Sequence, residues 1–80
     1  MRIYEATVKR INNLMTEQGL TQNGLAYKSG IPQATIKSIL NGESKNPGIV
    51  TLKKICDGLE ISINTFFDSD DFKTLEQELL

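Results

Sequence analysis

Residues 20–42, LTQNGLAYKSGIPQATIKSILNG, decide the fold of this 80-residue chain. Thr21 stands where a helix would begin, because its hydroxyl can accept a hydrogen bond from a free amide of the first turn. Gly30 can end that helix in the left-handed conformation, and Pro32 suits the start of the next helix. The Asn-Gly pair at 41–42 is a strong stop signal after it. The stretch therefore predicts two short helices joined by a tight turn.

The turn between these two helices is too short to let them pack antiparallel. They should therefore cross steeply, which is the geometry of the helix-turn-helix. In that motif the second helix can enter the major groove of DNA, which is about 12 Å wide. The pattern thus indicates double-stranded DNA as a partner. The later helix of the motif, which begins near Pro32 and is the third helix of the chain, would face the bases with its exposed side chains.

Apolar periodicity on either side of this unit predicts three further helices. Apolar residues recur at spacings of three and four over residues 3–17, so they line one face of a helix that Gly19 would end. A fourth helix fits residues 50–59, with Val50 among its inward positions, and a short fifth helix follows, capped by Ser62. No stretch is convincing as a strand, so the sequence predicts an all-α fold.

An acidic tail, residues 68–80, follows the five-helix domain expected over residues 1–67. Phe72, Leu75 and Leu79 would share one face of a possible sixth, amphipathic helix, although a short acidic tail could equally be frayed. That apolar face, together with the aromatic residues of the fifth helix, could pack on its own domain or form a homodimer with a second copy of the chain. The sequence favours these two alternatives equally.

The formal net charge of −1 conceals a segregation of charge along the chain. Residues 1–54 carry eight basic and three acidic side chains, which makes +5, whereas residues 55–80 carry one basic and seven acidic side chains, which makes −6. A basic body with an acidic tail suggests a polyanion-binding face beside something acidic. Solvated surface charge with chance clustering is the simpler alternative.

Composition argues against several classes of protein. The chain has no His, the usual general base near neutral pH, and it shows no paired carboxylates, nucleophile–base pair or glycine-rich phosphate loop, so an enzyme is not expected. A single Cys allows neither a disulfide framework nor a cysteine zinc site, which favours a cytoplasmic protein without metal or cofactor. No apolar run is long enough to span a bilayer, and no small-molecule ligand is evident.

The ordered set of features from about Val8 to Phe67 resembles the helix-turn-helix DNA-binding domains of the lambda-repressor, Cro and Xre type. No single dipeptide carries the resemblance, but the set with its spacings is fairly specific. It implies a compact five-helix lambda-repressor-like domain. The matching pieces are Leu20-Thr21-Gln22, Leu25-Ala26, Gly30, Ile36, Asn41-Gly42, Lys45 and Pro47 in the following loop, and Leu52, Ile55 and Leu59 in the fourth helix.

The resemblance implies DNA contacts from particular residues. Gln22 would bind a phosphate at the start of the second helix, Gln33 would pair with adenine, and Ala34 could touch a thymine methyl group. Each also has a plain structural interpretation, as a helix cap, a solvated first-turn residue or a helix former. The other implied contacts, to bases from the third helix or to phosphates from its end and the following loop, come from Thr35, Lys37, Ser38, Asn41, Lys45 and Asn46.

Two departures from the family pattern and two apolar positions complete the expectations. Where many members pair an arginine with a glutamate, this chain has Met15 and Leu40, so a direct apolar contact should replace that ion pair. Gly24 stands where a long polar residue is more usual, which removes a possible phosphate contact and weakens the second helix. Tyr27 and Cys56 are expected in core or half-buried packing.

The sequence is thus best interpreted as a sequence-specific transcriptional regulator that represses by occupying a promoter. One such module makes few base contacts, so tight binding requires two copies on half-sites about 34 Å apart. The alternative is a protein-binding module of the same fold, such as an antitoxin or a phage-regulator partner, with little DNA binding of its own. The −6 of the C-terminal part favours this alternative, because it would repel phosphate if it lay near the third helix.

Overall fold

The computed structural model describes residues 1–79 and folds them into five α-helices followed by a turn of 3₁₀ helix. No β-strand occurs within that range, and none of its helices is long and apolar enough to cross a membrane. The all-α class and the five helices predicted from the sequence are confirmed. In chain order the elements are α1 (Ile3–Gln18), α2 (Gln22–Ser29), α3 (Gln33–Leu40), α4 (Ile49–Gly58), α5 (Ile63–Phe67) and the 3₁₀ turn (Asp70–Lys73).

Local signals set the helix ends as expected. The hydroxyl of Thr21 accepts a hydrogen bond from the Gly24 amide at 3.0 Å, and that of Ser62 accepts one from the Thr65 amide at 3.0 Å. Gly30 ends α2 with φ of 67°, a left-handed conformation that a side chain would strain. The chain therefore reverses direction sharply between α2 and α3.

A single apolar cluster joins α1, α2, α3, α4 and α5. At its centre Ile11, Leu25, Leu59 and Phe66 are 0% exposed. Burying one such large side chain contributes about 1.5–3 kcal/mol, so this cluster accounts for the fixed arrangement of the short helices. α2 packs against both α3 and α4, which anchors the helix-turn-helix unit to the rest of the domain.

A close approach between the ends of α2 and α4 depends on Gly58. A Cβ atom built there would overlap the Ser29 hydroxyl and lie 3.0 Å from the Ser29 backbone nitrogen. Ser29 is itself buried, and its hydroxyl oxygen has no hydrogen-bond partner among the described residues. The absence of a side chain at residue 58 thus allows the end of α4 to lie directly on the end of α2.

Three apolar residues that were predicted to face the core lie on the surface instead. Tyr27 is 89% exposed, because the buried side chains of α2 are those of Leu25, Ala26 and Ser29, which leave Tyr27 on the opposite face. Val50 is 65% exposed, because it lies in the first turn of α4, ahead of the buried part of that helix. Ile3 is 42% exposed in the first turn of α1. The prediction for Cys56, in contrast, is confirmed at 0% exposed.

The possible sixth α-helix is not formed within the described part of the tail. Residues 70–73 make one 3₁₀ turn, and residues 75–79 have no regular structure. Phe72 explains the arrangement, since its ring packs edge-on against Phe67, with centroids 4.9 Å apart, and against the core. The chain is thereby anchored before a helix can propagate, and it then runs back along α1, where the Glu76 amide donates to the Met1 carbonyl at 3.1 Å.

The two apolar residues that stand where the family often has an ion pair both belong to the core region. Met15 is 7% exposed within the cluster, and Leu40 is half-buried against the same cluster. Their burial agrees with an apolar replacement, and a direct contact between the two side chains stays a prediction.

Candidate nucleic-acid interface

The third helix presents one apolar face to the core and one polar face to solvent. Ile36 and Ile39 are 1% and 2% exposed, respectively, so they fix the rotation of α3 about its axis. That rotation brings together on the outer surface the residues that the sequence suggested for base contact. Gln33, Ala34, Thr35 and Lys37 are exposed, and Ser38 is half-buried beside them.

Gln22 occupies the first position of α2 with its side chain exposed. The alternative interpretation, that Gln22 caps its own helix, is wrong, because Thr21 performs that role. The side-chain amide of Gln22 makes no hydrogen bond within residues 1–79, so it is free to bind an external group. The N-terminal end of a helix also favours an anion.

Asn41 and Glu43 are joined by two hydrogen bonds in the turn that follows α3. The Asn41 side chain donates to the Glu43 carboxylate at 3.0 Å and accepts from the Glu43 backbone amide at 3.0 Å. The Asn41 side chain therefore serves the helix stop, as one of the two sequence interpretations held. It also places a carboxylate beside the loop that was expected to contact phosphate.

Lys45 and Asn46 are both exposed in the loop between α3 and α4. The ammonium of Lys45 lies over the ring of Tyr4 in α1, 5.3 Å from its centroid, which is within the range of a cation–π interaction. The two loop residues also border a small cavity of about 130 Å³ between the loop and α1. This loop therefore brings the first helix close to the helix-turn-helix unit.

The acidic side chains of the C-terminal part are engaged mainly with basic groups outside α3. Within residues 1–79 the tail pairs with α1 and its N-terminal flank, through Asp71–Lys9 at 3.1 Å, Glu78–Arg2 at 2.9 Å and Glu76 with the Met1 amine at 2.8 Å. The Arg2 guanidinium, by hydrogen bonding, lowers the pKa of the Glu78 carboxyl below its ordinary value. The remaining pairs are Glu60–Lys28, Asp57–Lys53 and Asp70–Lys73.

Three lysines stand outside these ion pairs in the described range: Lys37, Lys45 and Lys54. Lys37 lies on α3 and Lys45 in the loop after it. The tail thus pairs with Lys9 of α1 and with Arg2 and the Met1 amine before it, and makes no ion pair with α3, within the residues described. The lysines of α3 and of the loop after it are outside these pairs.

Sequence reasoning missed the roles of Arg10 and Tyr4. The guanidinium of Arg10 donates to the carbonyl oxygens of Phe66 and Thr65 at 2.8 Å each, which ties α1 to α5. The ring of Tyr4 contacts the Lys45 ammonium, which ties α1 to the loop after α3. Neither contact has a local sequence signal, because each joins elements far apart in the chain.

No cluster of metal-ligating side chains occurs among residues 1–79. The thiol of Cys56 is buried, and burial raises its pKa above the ordinary value, so it is a poor nucleophile or ligand. The surface described above is thus suited to binding through amide, hydroxyl and ammonium groups, which are the groups that contact phosphates and base edges in DNA.

Comparisons with known proteins agree with this geometry. Residues 10–71 match the family described as the Cro/C1-type HTH DNA-binding domain. The transcriptional regulator SinR of Bacillus subtilis is 32% identical over 60 residues, which cover 75% of this chain and 54% of SinR, so the chain spans about half the length of that relative. A solved structure of the restriction-modification controller protein C.Esp1396I superposes with a TM-score of 0.79 at 32% identity, covering 85% of this chain and 86% of the other.

A second solved structure, the prophage Lp1 protein 11, has a TM-score of 0.79 at 34% identity and covers 94% of this chain and 100% of its own. The chain belongs to the Cro/C1-type helix-turn-helix family of DNA-binding domains, which occurs in transcriptional regulators. The family consists of DNA-binding regulators rather than enzymes.

Proposed function

We propose that this protein is a sequence-specific regulator of transcription that inserts α3 into the major groove of double-stranded DNA and represses by occupying a promoter. The observation that carries the proposal is the exposed polar face of α3, held outward by the burial of Ile36 and Ile39. In this interpretation Gln33 and Ala34 read bases, and Thr35, Lys37 and Ser38 contact bases or backbone further along the groove.

Phosphate contacts on either side of α3 would supply most of the affinity. On one side, Gln22 lies exposed at the start of α2, where free backbone amides also favour phosphate. On the other side, Lys45 and Asn46 are exposed in the loop, and Asn41 would contribute only through a rearrangement of its bonds to Glu43. These groups would position the recognition helix without reading sequence.

Repression by occlusion is the simplest mechanism for a domain of this size. A protein that binds a promoter and makes no activating contact blocks the polymerase by steric exclusion. The test is a reporter gene whose promoter contains the selected binding site. We expect the protein to lower expression of the reporter, and an increase in expression would contradict this mechanism.

Two copies would bind half-sites about 34 Å apart, because one module offers few base contacts. The structure restricts the surface available for such a dimer. Phe66 is buried in its own domain, while Phe67 and Phe72 pack on each other, so among the apolar residues of the fifth helix and of the tail up to residue 79 only Leu79, at 70%, is largely exposed. Analytical ultracentrifugation at tens of micromolar would show a dimer if these C-terminal residues pair, whereas a monomer would mean that pairing requires DNA or another surface.

The alternative, a protein-binding module with little DNA binding, drew its support from the acidic C-terminal part. The ion pairs of the tail with Arg2 and Lys9 weaken that argument, because they engage these acids at α1. A selection from a pool of random duplexes separates the two functions. We expect the protein to enrich a short motif with two related halves, whereas no enrichment at low salt would favour the protein-binding alternative.

A further inference from the structure

Tyr4 lies outside the helix-turn-helix unit, yet its ring touches the loop that follows α3. The ammonium of Lys45 is 5.3 Å from the centroid of this ring. Tyr4 itself is half-buried in the first turn of α1, so its position is fixed by a helix that the core anchors. An aromatic face on an anchored helix therefore meets a long, exposed cationic side chain.

The rest of the loop offers Lys45 little other support. Its ammonium forms no ion pair within residues 1–79, and its neighbourhood is the rim of the cavity of about 130 Å³ that Tyr4, Pro47 and Leu52 also line. The side-chain hydrogen bonds of the loop lie before Lys45, where Asn41 bonds with Glu43. The ring of Tyr4 is thus the contact that restricts where the charge of Lys45 lies.

We propose that Tyr4 is a positioning residue for DNA binding, whose ring holds the Lys45 ammonium in place for a backbone phosphate. The inference rests on the proposed function and assigns to α1 a part in it. A lysine pays conformational entropy when it is fixed on a phosphate, and a preorganised one pays less of it on binding. An ammonium over an aromatic face can still donate a hydrogen bond to a phosphate on its other side, because it has three donors.

The experiment compares Tyr4→Leu, which removes the ring, with Tyr4→Phe, which keeps it, and with Lys45→Gln, which removes the charge. The control is Tyr27→Leu, which removes an exposed tyrosine that makes no contact with Lys45. The probe is a mixed-sequence duplex of about 20 base pairs, with the dissociation constant measured by fluorescence anisotropy over a range of salt concentrations. Circular dichroism and thermal melting of every variant establish that it is folded.

We expect Tyr4→Leu to weaken binding by about two- to five-fold, the size expected from an exposed cation–π contact, with Tyr4→Phe and Tyr27→Leu close to the wild type. In the Lys45→Gln background, Tyr4→Leu should leave the dissociation constant unchanged, because the ammonium that Tyr4 positions is gone. A purely structural role for Tyr4 would weaken binding in both backgrounds. Unchanged or tighter binding of Tyr4→Leu, with Lys45→Gln still weakened, would refute the positioning role and leave the proposed function standing.

A measurement without DNA tests the contact itself. The methylene protons next to the Lys45 ammonium should be shifted upfield in the NMR spectrum by the ring current of Tyr4, and the shift should vanish in Tyr4→Leu and persist in Tyr4→Phe. An absent shift in the wild type overturns the inference. If the wild-type protein does not bind the duplex at any salt concentration, the proposed function falls, and the positioning role falls with it.

Discussion

Replacing Gly58 by alanine tests the packing that fixes α2, and with it the base of the recognition unit. A Cβ atom at this position would lie 3.0 Å from the backbone nitrogen and 3.1 Å from the Cα atom of Ser29, in addition to overlapping the Ser29 hydroxyl. The hydroxyl could turn away, but the backbone atoms cannot move without shifting α2 against α4. We therefore expect Gly58→Ala to destabilise the fold.

The magnitude follows from two opposing contributions. Overpacking of this kind costs about 1–3 kcal/mol, whereas replacing glycine by alanine in a helix gains up to about 1 kcal/mol. The net loss should be about 1–2 kcal/mol, which lowers the melting temperature by roughly 4–16 °C in a domain of this size. The double variant Ser29→Ala/Gly58→Ala should recover part of the loss, because it removes the hydroxyl and keeps the backbone overlap.

The matched control is Gly24→Ala in α2. Its Cβ atom would lie 3.3 Å from the Thr21 hydroxyl oxygen and 3.5 Å from a Leu20 methyl carbon, a fit that needs a shift of only a few tenths of an ångström. We expect this variant to be more stable than the wild type by up to about 1 kcal/mol. Chemical denaturation of both variants provides the assay, and a Gly58→Ala protein as stable as Gly24→Ala would refute the close-packing argument.

Three further outcomes are expected. Glu60 has φ of 59°, a left-handed conformation, so Glu60→Gly should raise stability in chemical denaturation by up to about 1 kcal/mol, because the relief of this strain exceeds the small contribution of the exposed ion pair with Lys28, and a loss of stability would contradict this. Glu43→Gln should tighten binding to a mixed-sequence duplex at low salt, because it removes a negative charge beside the loop while its amide can still bond with Asn41, and weaker binding would contradict the charge argument. Because the pKa of Glu78 is lowered in the folded protein, its hydrogen bond to Arg2 stabilises the tail fully above the ordinary pKa of 4.5 and is lost as the pH falls through the lowered value. The Arg2 side-chain NH signal should therefore change in that acidic range and stay constant in Glu78→Gln.

The helix-turn-helix unit was predictable because its signals are local. The hydroxyl of Thr21 and the left-handed Gly30 act within one or two turns of the chain, and the burial of Ile36 follows from helical spacing. The exposed residues of α3 then follow from the same spacing. The sequence therefore sufficed to predict the elements that carry the candidate site.

The features that sequence reasoning missed depend on how separate elements of the fold pack against one another. Tyr27 was expected in core or half-buried packing, but the face of α2 that becomes buried is decided by α3 and α4 together. The helical spacing of the tail apolar residues was genuine, but the packing of Phe72 on Phe67 determines the local conformation. The contact of Lys45 with Tyr4 likewise depends on where the loop meets α1.

The most direct test of the central claim compares the DNA motifs selected by the wild-type protein and by Gln33→Ala from the same pool of random duplexes. Gln33 is exposed at the start of α3 and would pair with adenine in the groove. We predict that the wild type enriches a short motif and that Gln33→Ala loses the preference at one position of each half-site and keeps the others. The same motif with the same preference at every position, or no motif from either protein, would contradict the reading of DNA by this face of α3.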